Sequence, residues 1–317
     1  MEQWTVPEAV AKRAIASGPE CRCWMENING LISDMEDEWH IRVGRPFSGG
    51  TDAFVAPAVM EDGKEGVIRL NMPDASASED MRKANAAFIL ADGQGYARLL
   101  REDEARLACL FERLGKPLSS INIPVEQRLD ILCDTLNHAW ITPNPLHPRT
   151  AILPHGTEIT AWFRSHIPSA WERFHKPLSR LAVDRALAYL DESARRMTNS
   201  EAVLLHGDAN VTNCLEDPQH PGSFRFIDPD GAIGEKAYDM GMAMIVEQVG
   251  FADSPLEIGT ARCRRLHERT GIEAAAIWQW GVIQCVSTSL VCLEIDHPAA
   301  KALTRIAEAW AATEPFK

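Results

Sequence analysis

Along the chain, short β-like apolar runs bounded by turn residues come first, and apolar positions later recur at helical spacing. Ile41 to Phe47 (IRVGRPF), Ala53 to Met60 (AFVAPAVM) and Val67 to Leu70 (VIRL) read as an antiparallel meander. The turns SGGTD and EDGKEG between them carry glycines that accept positive φ. A short helical stretch precedes these runs. SASEDMRKANAAFILADG then has Ser76 or Ser78 as an N-cap, acids in its first turn and a stop at Gly93, which predicts a helix. Two more β-like runs, YARLL and ARLACLFE, bring the first ~112 residues to five strands and one helix. LGKPLSS (Leu114 to Ser120) breaks both periodicities and marks a joint, giving domains at 1–113 and 114–317.

Beyond the joint, helical patterns dominate. They are VEQRLDILCDTLNHAW, TEITAWFRSHIPSAWERFH, LSRLAVDRALAYLDESARRM, AAAIWQWGVIQCVSTSLVCLEI and PAAKALTRIAEAWAA. Two short β-like runs interrupt them, AVLL (Ala202 to Leu205) and SFRFI (Ser223 to Ile227), read as a hairpin. The pattern predicts an α+β fold of two lobes, a small antiparallel β-rich N-lobe with one helix and a mainly helical C-lobe. Trp162, Trp171, Trp278 and Trp280 read as core. Trp278 and Trp280 cannot share a helix face, which leaves one of them open to a ligand or partner.

Composition adds bounds. At 317 residues with 45% hydrophobic and 24% charged positions, the chain fits two globular lobes. No basic segment followed by an apolar one opens it, and no run of about eighteen apolar residues is seen, so the expectation is a cytoplasmic, non-membrane protein. The eight cysteines are scattered, several in apolar runs, and read as buried free thiols. The formal net charge of -13, with no basic stripe, disfavours nucleic acid and suits a cationic small molecule.

Candidate chemistry concentrates at HGDANVTN (His206 to Asn213) and FIDPDG (Phe226 to Gly231). Asp208 and Asp228 each follow an apolar strand, so pairing those strands would bring both carboxylates to one end. Asn213, five residues past Asp208, folds back toward the same point. Two carboxylates and an amide oxygen make a hard oxygen site suited to Mg²⁺. The Asp-x-x-x-x-Asn spacing matches the protein kinase catalytic loop. The plainer alternative makes Asp208 and Asn213 caps of a following helix, with Asp228 opening an ordinary turn.

HGDANVTN with FIDPDGAIGEKAYDMG resembles the paired signature of the aminoglycoside phosphotransferases, and IDPDGAIGEKAYD is most similar to the streptomycin 6-phosphotransferase and hydroxyurea phosphotransferase branch. The similarity spans most of residues 45 to 245. It implies a protein-kinase-like fold using ATP, with the choice of ATP or GTP open, and Mg²⁺. It makes Asp208 the catalytic aspartate, Asn213 and Asp228 the metal ligands, and His206 and Asp239 supports of the loop. It further implies that FSGGTDAF, with Ser48, Gly49 and Gly50, covers the nucleotide phosphates, and that Phe111, Glu112 and Arg113 form a hinge against the adenine. Gly207 stands where regulated kinases carry an arginine that reads a phosphorylated loop, so activity without phosphorylation is expected.

The family pattern is broken at Arg69, and again at Asp230, where relatives often carry a basic residue. VIRL puts Arg69 where a phosphate-binding lysine is usual, and its glutamate partner would fall at Ala84, with Glu79 or Asp80 as substitutes. Lys64 reads as solvated. For a cationic acceptor, the acidic candidates are Asp230, Glu247, Glu294 and Asp296. The reading is a phosphotransferase acting on a hydroxyl of an aminoglycoside, streptomycin foremost. The alternatives are another small acceptor (hydroxyurea, a peptide antibiotic or a metabolite), or a nucleotide-binding pseudokinase.

Overall fold

The computed structural model describes residues 3–197, 201–247, 251 and 253–316. Two compact units divide the chain, residues 1–115 and 116–317. The first contains α1 (Glu8–Ser17), α2 (Pro19–Glu26), α3 (Ile28–Trp39), β1 (Ile41–Val43), β2 (Ala53–Met60), β3 (Glu65–Asn71), α4 (Ala77–Ala91), β4 (Leu99–Asp103) and β5 (Ala108–Glu112). Its strands form one antiparallel sheet in the order β1-β2-β3-β5-β4.

Four helices, not one, accompany this sheet. Ile28, Ile32, Met35 and Trp39 repeat at helical spacing on α3, and Val10 and Ala14 do so on α1. Gly18 and Pro19 cut this region into short pieces that hide the period from a long window. Together these side chains cover the sheet face that carries Phe54, Ala56, Ile68, Leu70 and Leu110, and all lie in one apolar core. Each large apolar side chain among them removed from water contributes roughly 1.5–3 kcal/mol, which makes this helical layer part of the fold rather than an appendage.

The alternate residues of β3, among them Arg69 and Asn71, stay half-buried on the other face. Helix α4 packs there, with Phe88 against Phe111 at 4.8 Å and Asn85 against the Cys109 thiol at 3.4 Å. The YARLL run begins its strand late. Tyr96 and Ala97 are instead buried ahead of β4, with Tyr96 edge-on to Phe88 at 6.2 Å.

The second unit holds α5 (Val125–Ala139), α6 (Gly156–Arg173), α7 (Arg180–Met197), β6 (Val203–Leu205), β7 (Cys214–Glu216), β8 (Phe224–Phe226), β9 (Ala232–Gly234), α8 (Ala237–Ile245), α9 (Pro255–Thr270), α10 (Ala274–Glu294) and α11 (Ala300–Ala311). The strands of AVLL and SFRFI do not pair with each other. β6 pairs with β9 and β8 with β7, each antiparallel. The sequence pattern misses β7 and β9 because CLE and AIG lie in polar, glycine-containing loops, whereas the equally short β6 and β8 sit within the longer runs AVLL and SFRFI.

Helix α10 is the centre of this unit, packed among α6, α7, α8, α9 and α11. Among the described residues it alone is long and apolar enough to cross a membrane, but 78% of its most apolar window is buried inside the protein. Burial on all sides also resolves the tryptophan pair, since Trp278 and Trp280 are both buried in different neighbours. Trp278 meets Trp310, whereas Trp280 donates its indole N–H to Glu235 at 2.6 Å. The exposed indole is Trp162, which stacks on His166 with centroids 4.6 Å apart. All eight cysteines are free thiols, and Cys23 alone of them is exposed.

Candidate functional site

The loop after β6 is held from three directions. Asp239, fully buried on α8, accepts the backbone N–H of Gly207 at 2.9 Å and that of His206 at 3.1 Å. The Trp140 indole N–H donates to the same carboxylate at 2.9 Å. Burial pushes the Asp239 carboxyl up, and these three donors pull it back toward the charged form.

His206 supplies the second hold. Its Nδ1 accepts the N–H of Asp208 at 3.1 Å, which leaves Nε2 to donate to the Ile227 carbonyl at 3.0 Å. The ring therefore bridges the loop after β6 to the end of β8. Burial drops its pKa to about 4, so it is neutral at physiological pH and acts as a structural bridge rather than as a proton carrier.

Asn213 makes the third connection. Its Nδ2 donates to the Asp208 carboxylate at 2.9 Å and to the Asp208 carbonyl at 3.1 Å, while its own carbonyl accepts the Ile227 N–H at 2.8 Å. β7 begins at the next residue, so no helix follows for Asp208 and Asn213 to cap. Asn210 instead caps the turn, accepting the N–H groups of Thr212 at 2.8 Å and Asn213 at 3.2 Å. The β7–β8 hairpin thus puts Asn213 and Asp228 at the same end. This ladder does the work that the sequence pattern gave to the β6–β8 pair.

Asp228 is exposed and holds the left-handed backbone conformation at φ 58°. Such a backbone is strained for a non-glycine residue and persists where the surroundings impose it. Its charge is felt at both Asp208 and His206. Asp208 itself is half-buried, and its pKa rises to about 6, mainly through burial, with Asp228 adding repulsion against the Asn210 and Asn213 hydrogen bonds. A carboxylate poised there is a suitable proton acceptor near neutral pH.

Gly207 has a local reason to be glycine. Its φ is +91°, and a Cβ built on it would lie 2.6 Å from the Asp230 Cβ. Asp230 is exposed and returns its backbone N–H to the His206 carbonyl at 2.9 Å. Of the four acidic acceptor candidates, Asp230 is the one these hydrogen bonds tie to the Asp208 loop. Glu247 is ion-paired with Arg128, and Glu294 with Arg173 at 2.8 Å. Asp296 is exposed just past α10.

In the first unit, Ser48, Gly49 and Gly50 form an exposed turn ahead of β2, with Gly50 at φ +88° and open space where a Cβ would stand on either glycine. Arg113 lies over the Phe47 ring at 4.7 Å, joining that turn to the end of β5. Phe111 packs on Phe88, and the Glu112 carboxylate accepts the Arg98 N–H at 2.7 Å. Arg69 donates through Nε to Asn71 at 2.7 Å. Neither expected acidic substitute is engaged with it. Glu79 pairs with Lys83 at 2.5 Å on the exposed side of α4, and Asp80 is exposed one residue on. Lys64 is exposed and pairs with Asp62 at 2.7 Å.

The donor set fits a hard divalent cation. With Asn213 Nδ2 committed to Asp208, its amide oxygen is the atom offered to a metal, at the same hairpin end as the exposed Asp228 carboxylate. Two oxygen donors need phosphate and water oxygens to complete an octahedral shell, as Mg²⁺ prefers. The sequence pattern does not reveal Trp140, which braces the loop through Asp239 99 residues further on, or the Ile227 backbone, which meets His206 across 21 residues. Neither carries a local signal.

A two-lobed α+β protein-kinase-like fold with this loop defines the class, a small-molecule phosphotransferase whose mechanism depends on ATP and Mg²⁺. Residues 38–289 match the aminoglycoside/hydroxyurea antibiotic resistance kinase family, and the chain belongs to it. It is 24% identical to a streptomycin 6-kinase of Streptomyces griseus over 98% of this chain and 97% of that one. It is 27% identical to a hydroxyurea phosphotransferase of Kitasatospora aureofaciens over 72% of this chain and 64% of that one. In structure it resembles a macrolide 2'-phosphotransferase of Brachybacterium faecium, with a TM-score of 0.58 and 15% identity over 89% of this chain and 98% of that one.

Proposed function

We propose that this chain transfers the γ-phosphoryl group of ATP to a hydroxyl of an aminoglycoside, streptomycin foremost, and so confers resistance. The observation that carries this reading is the Asp208 carboxylate held at 2.9 Å by Asn213, with Asp228 at the same end of the β7–β8 hairpin. Asp208 orients the acceptor hydroxyl and takes its proton as the oxygen attacks phosphorus. Asn213 and Asp228 hold Mg²⁺, and Arg69 with the Ser48–Gly50 turn steadies the phosphates. When bound, the metal neutralises charge on the transferring phosphoryl group. His206 and Asp239 keep the loop in place. A net charge of -13 and the exposed Asp230 favour a cationic acceptor.

A second reading, another small acceptor, draws on the ion pairs that already engage Glu247 and Glu294, which leave fewer open carboxylates to bind a polycation. ADP release with Mg·ATP across streptomycin, other aminoglycosides and hydroxyurea, with mass spectrometry of the products, separates the two. Phosphorylated streptomycin is expected. Turnover only with hydroxyurea or an uncharged hydroxyl compound selects the second reading. ATP binding without turnover of any acceptor makes the chain a nucleotide-binding module.

A further inference from the structure

On the half-buried face of the N-lobe sheet, three residues fall in one cross-strand row. Arg69 on β3 stands opposite Cys109 on β5, and Cys109 stands opposite Glu102 on β4. Directly opposed residues in antiparallel strands present their side chains on the same face, so the row places a cation and a carboxylate on either side of a small thiol. Their backbones are two strand spacings apart, about 10 Å, a gap that two long side chains can bridge. The Cys109 thiol senses both charges, that of Arg69 and that of Glu102.

Helix α4 joins this row through Asn85, which is 2% exposed and sits one residue past Ala84. Its Nδ2 donates to the Glu102 carboxylate at 2.9 Å and also meets the Cys109 thiol at 3.4 Å. The helix therefore contributes a neutral amide where a glutamate is usual, and that amide grips a carboxylate supplied by the edge strand. Arg69 is steadied at Nε by Asn71, whose own Nδ2 donates to the Leu107 carbonyl at 3.0 Å.

We propose that Glu102 is the anionic partner that orients the Arg69 guanidinium toward the nucleotide phosphates, with Asn85 linking it to α4. The pairing replaces the lysine of β3 and the glutamate of the helix together. A longer, planar cation on β3 reaches past the helix to the next carboxylate in its own row. The proposal rests on the kinase reading above. Glu102 is a positioning residue, acting through Arg69.

The test uses the full chain and reads nucleotide affinity apart from turnover. Mg·ATP binding by calorimetry, the KM for ATP, the KM for the acceptor and the melting temperature are measured for the native chain, Glu102→Gln, Arg69→Ala and the double variant. Glu102→Gln is expected to weaken ATP binding and raise its KM roughly tenfold, the loss of one charge-assisted contact, with the acceptor KM unmoved. In the Arg69→Ala background the same substitution should have no further effect. Unchanged ATP affinity in Glu102→Gln, or an equal loss with and without Arg69, overturns the pairing while leaving the kinase reading intact. A fall in melting temperature with ATP affinity unchanged reduces Glu102 to a structural role and overturns it equally. If the native chain binds no Mg·ATP, the kinase reading itself falls.

Discussion

The Asp239 carboxylate accepts two consecutive backbone N–H groups, that of Gly207 at 2.9 Å through one oxygen and that of His206 at 3.1 Å through the other. Both oxygens are needed, because Trp140 adds a third donor at 2.9 Å. Asp239→Asn swaps one acceptor for an NH₂ facing a donor. The expected cost is about 2–4 kcal/mol, from a lost charge-assisted bond and an unsatisfied buried N–H. Urea unfolding should show the loss, and turnover should fall with it. Unchanged stability would mean that the loop is held elsewhere.

The raised pKa of Asp208, about 6, sets an acid limb for activity. As a proton acceptor it works only when ionised, so kcat/KM is expected to rise with pH and level off above that value. Bound Mg²⁺ favours the ionised form and moves the limb lower, never higher. A limb that persists unchanged in Glu102→Gln but shifts its midpoint in a residually active Asp208→Glu, whose carboxylate sits in a different place, would assign it to Asp208.

Stability in metal-free buffer carries opposite signs from two neighbours. His206 has its pKa lowered from 6.5 to about 4, so its stabilising contribution is full above 6.5 and is lost as pH falls through that window. Asp208 has its pKa raised from 3.8 to about 6, so the folded state takes up its proton first and gains stability as pH falls over an overlapping window. Asp208→Asn removes this compensation. Its melting temperature is expected to exceed that of the native chain above about pH 6, where a half-buried charge has been removed at a gain of about 1–2 kcal/mol. It should then decline more steeply on acidification. Parallel melting curves for the two proteins across pH 4 to 7 would contradict the assignment.

Asn213 and Asp228 offer the cation one oxygen each. Asn213→Ala and Asp228→Asn are expected to raise the Mg²⁺ concentration for half-maximal rate at least about tenfold, the usual scale for loss of a metal contact. Asn213→Ala also removes the bond to Asp208 and should lower the rate at saturating Mg²⁺ as well. Titrating the rate with Mg²⁺ at fixed ATP separates the two effects. If both variants keep the native Mg²⁺ dependence, the metal binds elsewhere.

Gly207→Ala is strained twice, by a φ of +91° and by a contact of 2.6 Å with Asp230. Moving the loop by a fraction of an ångström should lower kcat by roughly 10²-fold while leaving ATP affinity intact. Asp230→Gly in the same chain removes the blocking Cβ and is expected to recover part of the rate. No recovery would assign the loss to the backbone conformation alone.

Much of this was readable from residue order. The β2 run was legible to its ends because AFVAPAVM is an uninterrupted apolar run bounded by the SGGTD and EDGKEG turns. The C-lobe helices α5, α6, α7 and α11 were legible from their 3.6-residue periods, and α10 from the length of its apolar run. HGDANVTN and FIDPDG named the loop and its acids because a tight turn after a strand needs glycine and polar residues within a few positions. Strand partners were decided by tertiary structure. β7 and β9 take their identity from the ladders they complete, since neither CLE nor AIG lies in an apolar run of its own. The N-terminal helices are buried only against the sheet, and both tryptophans of α10 are buried only because neighbours surround that helix. The partner of Arg69 was likewise out of reach, since a cross-strand row joins residues 69, 102 and 109 by register, which local sequence does not encode. Local sequence fixes what each segment offers, and the tertiary fold decides which offers meet.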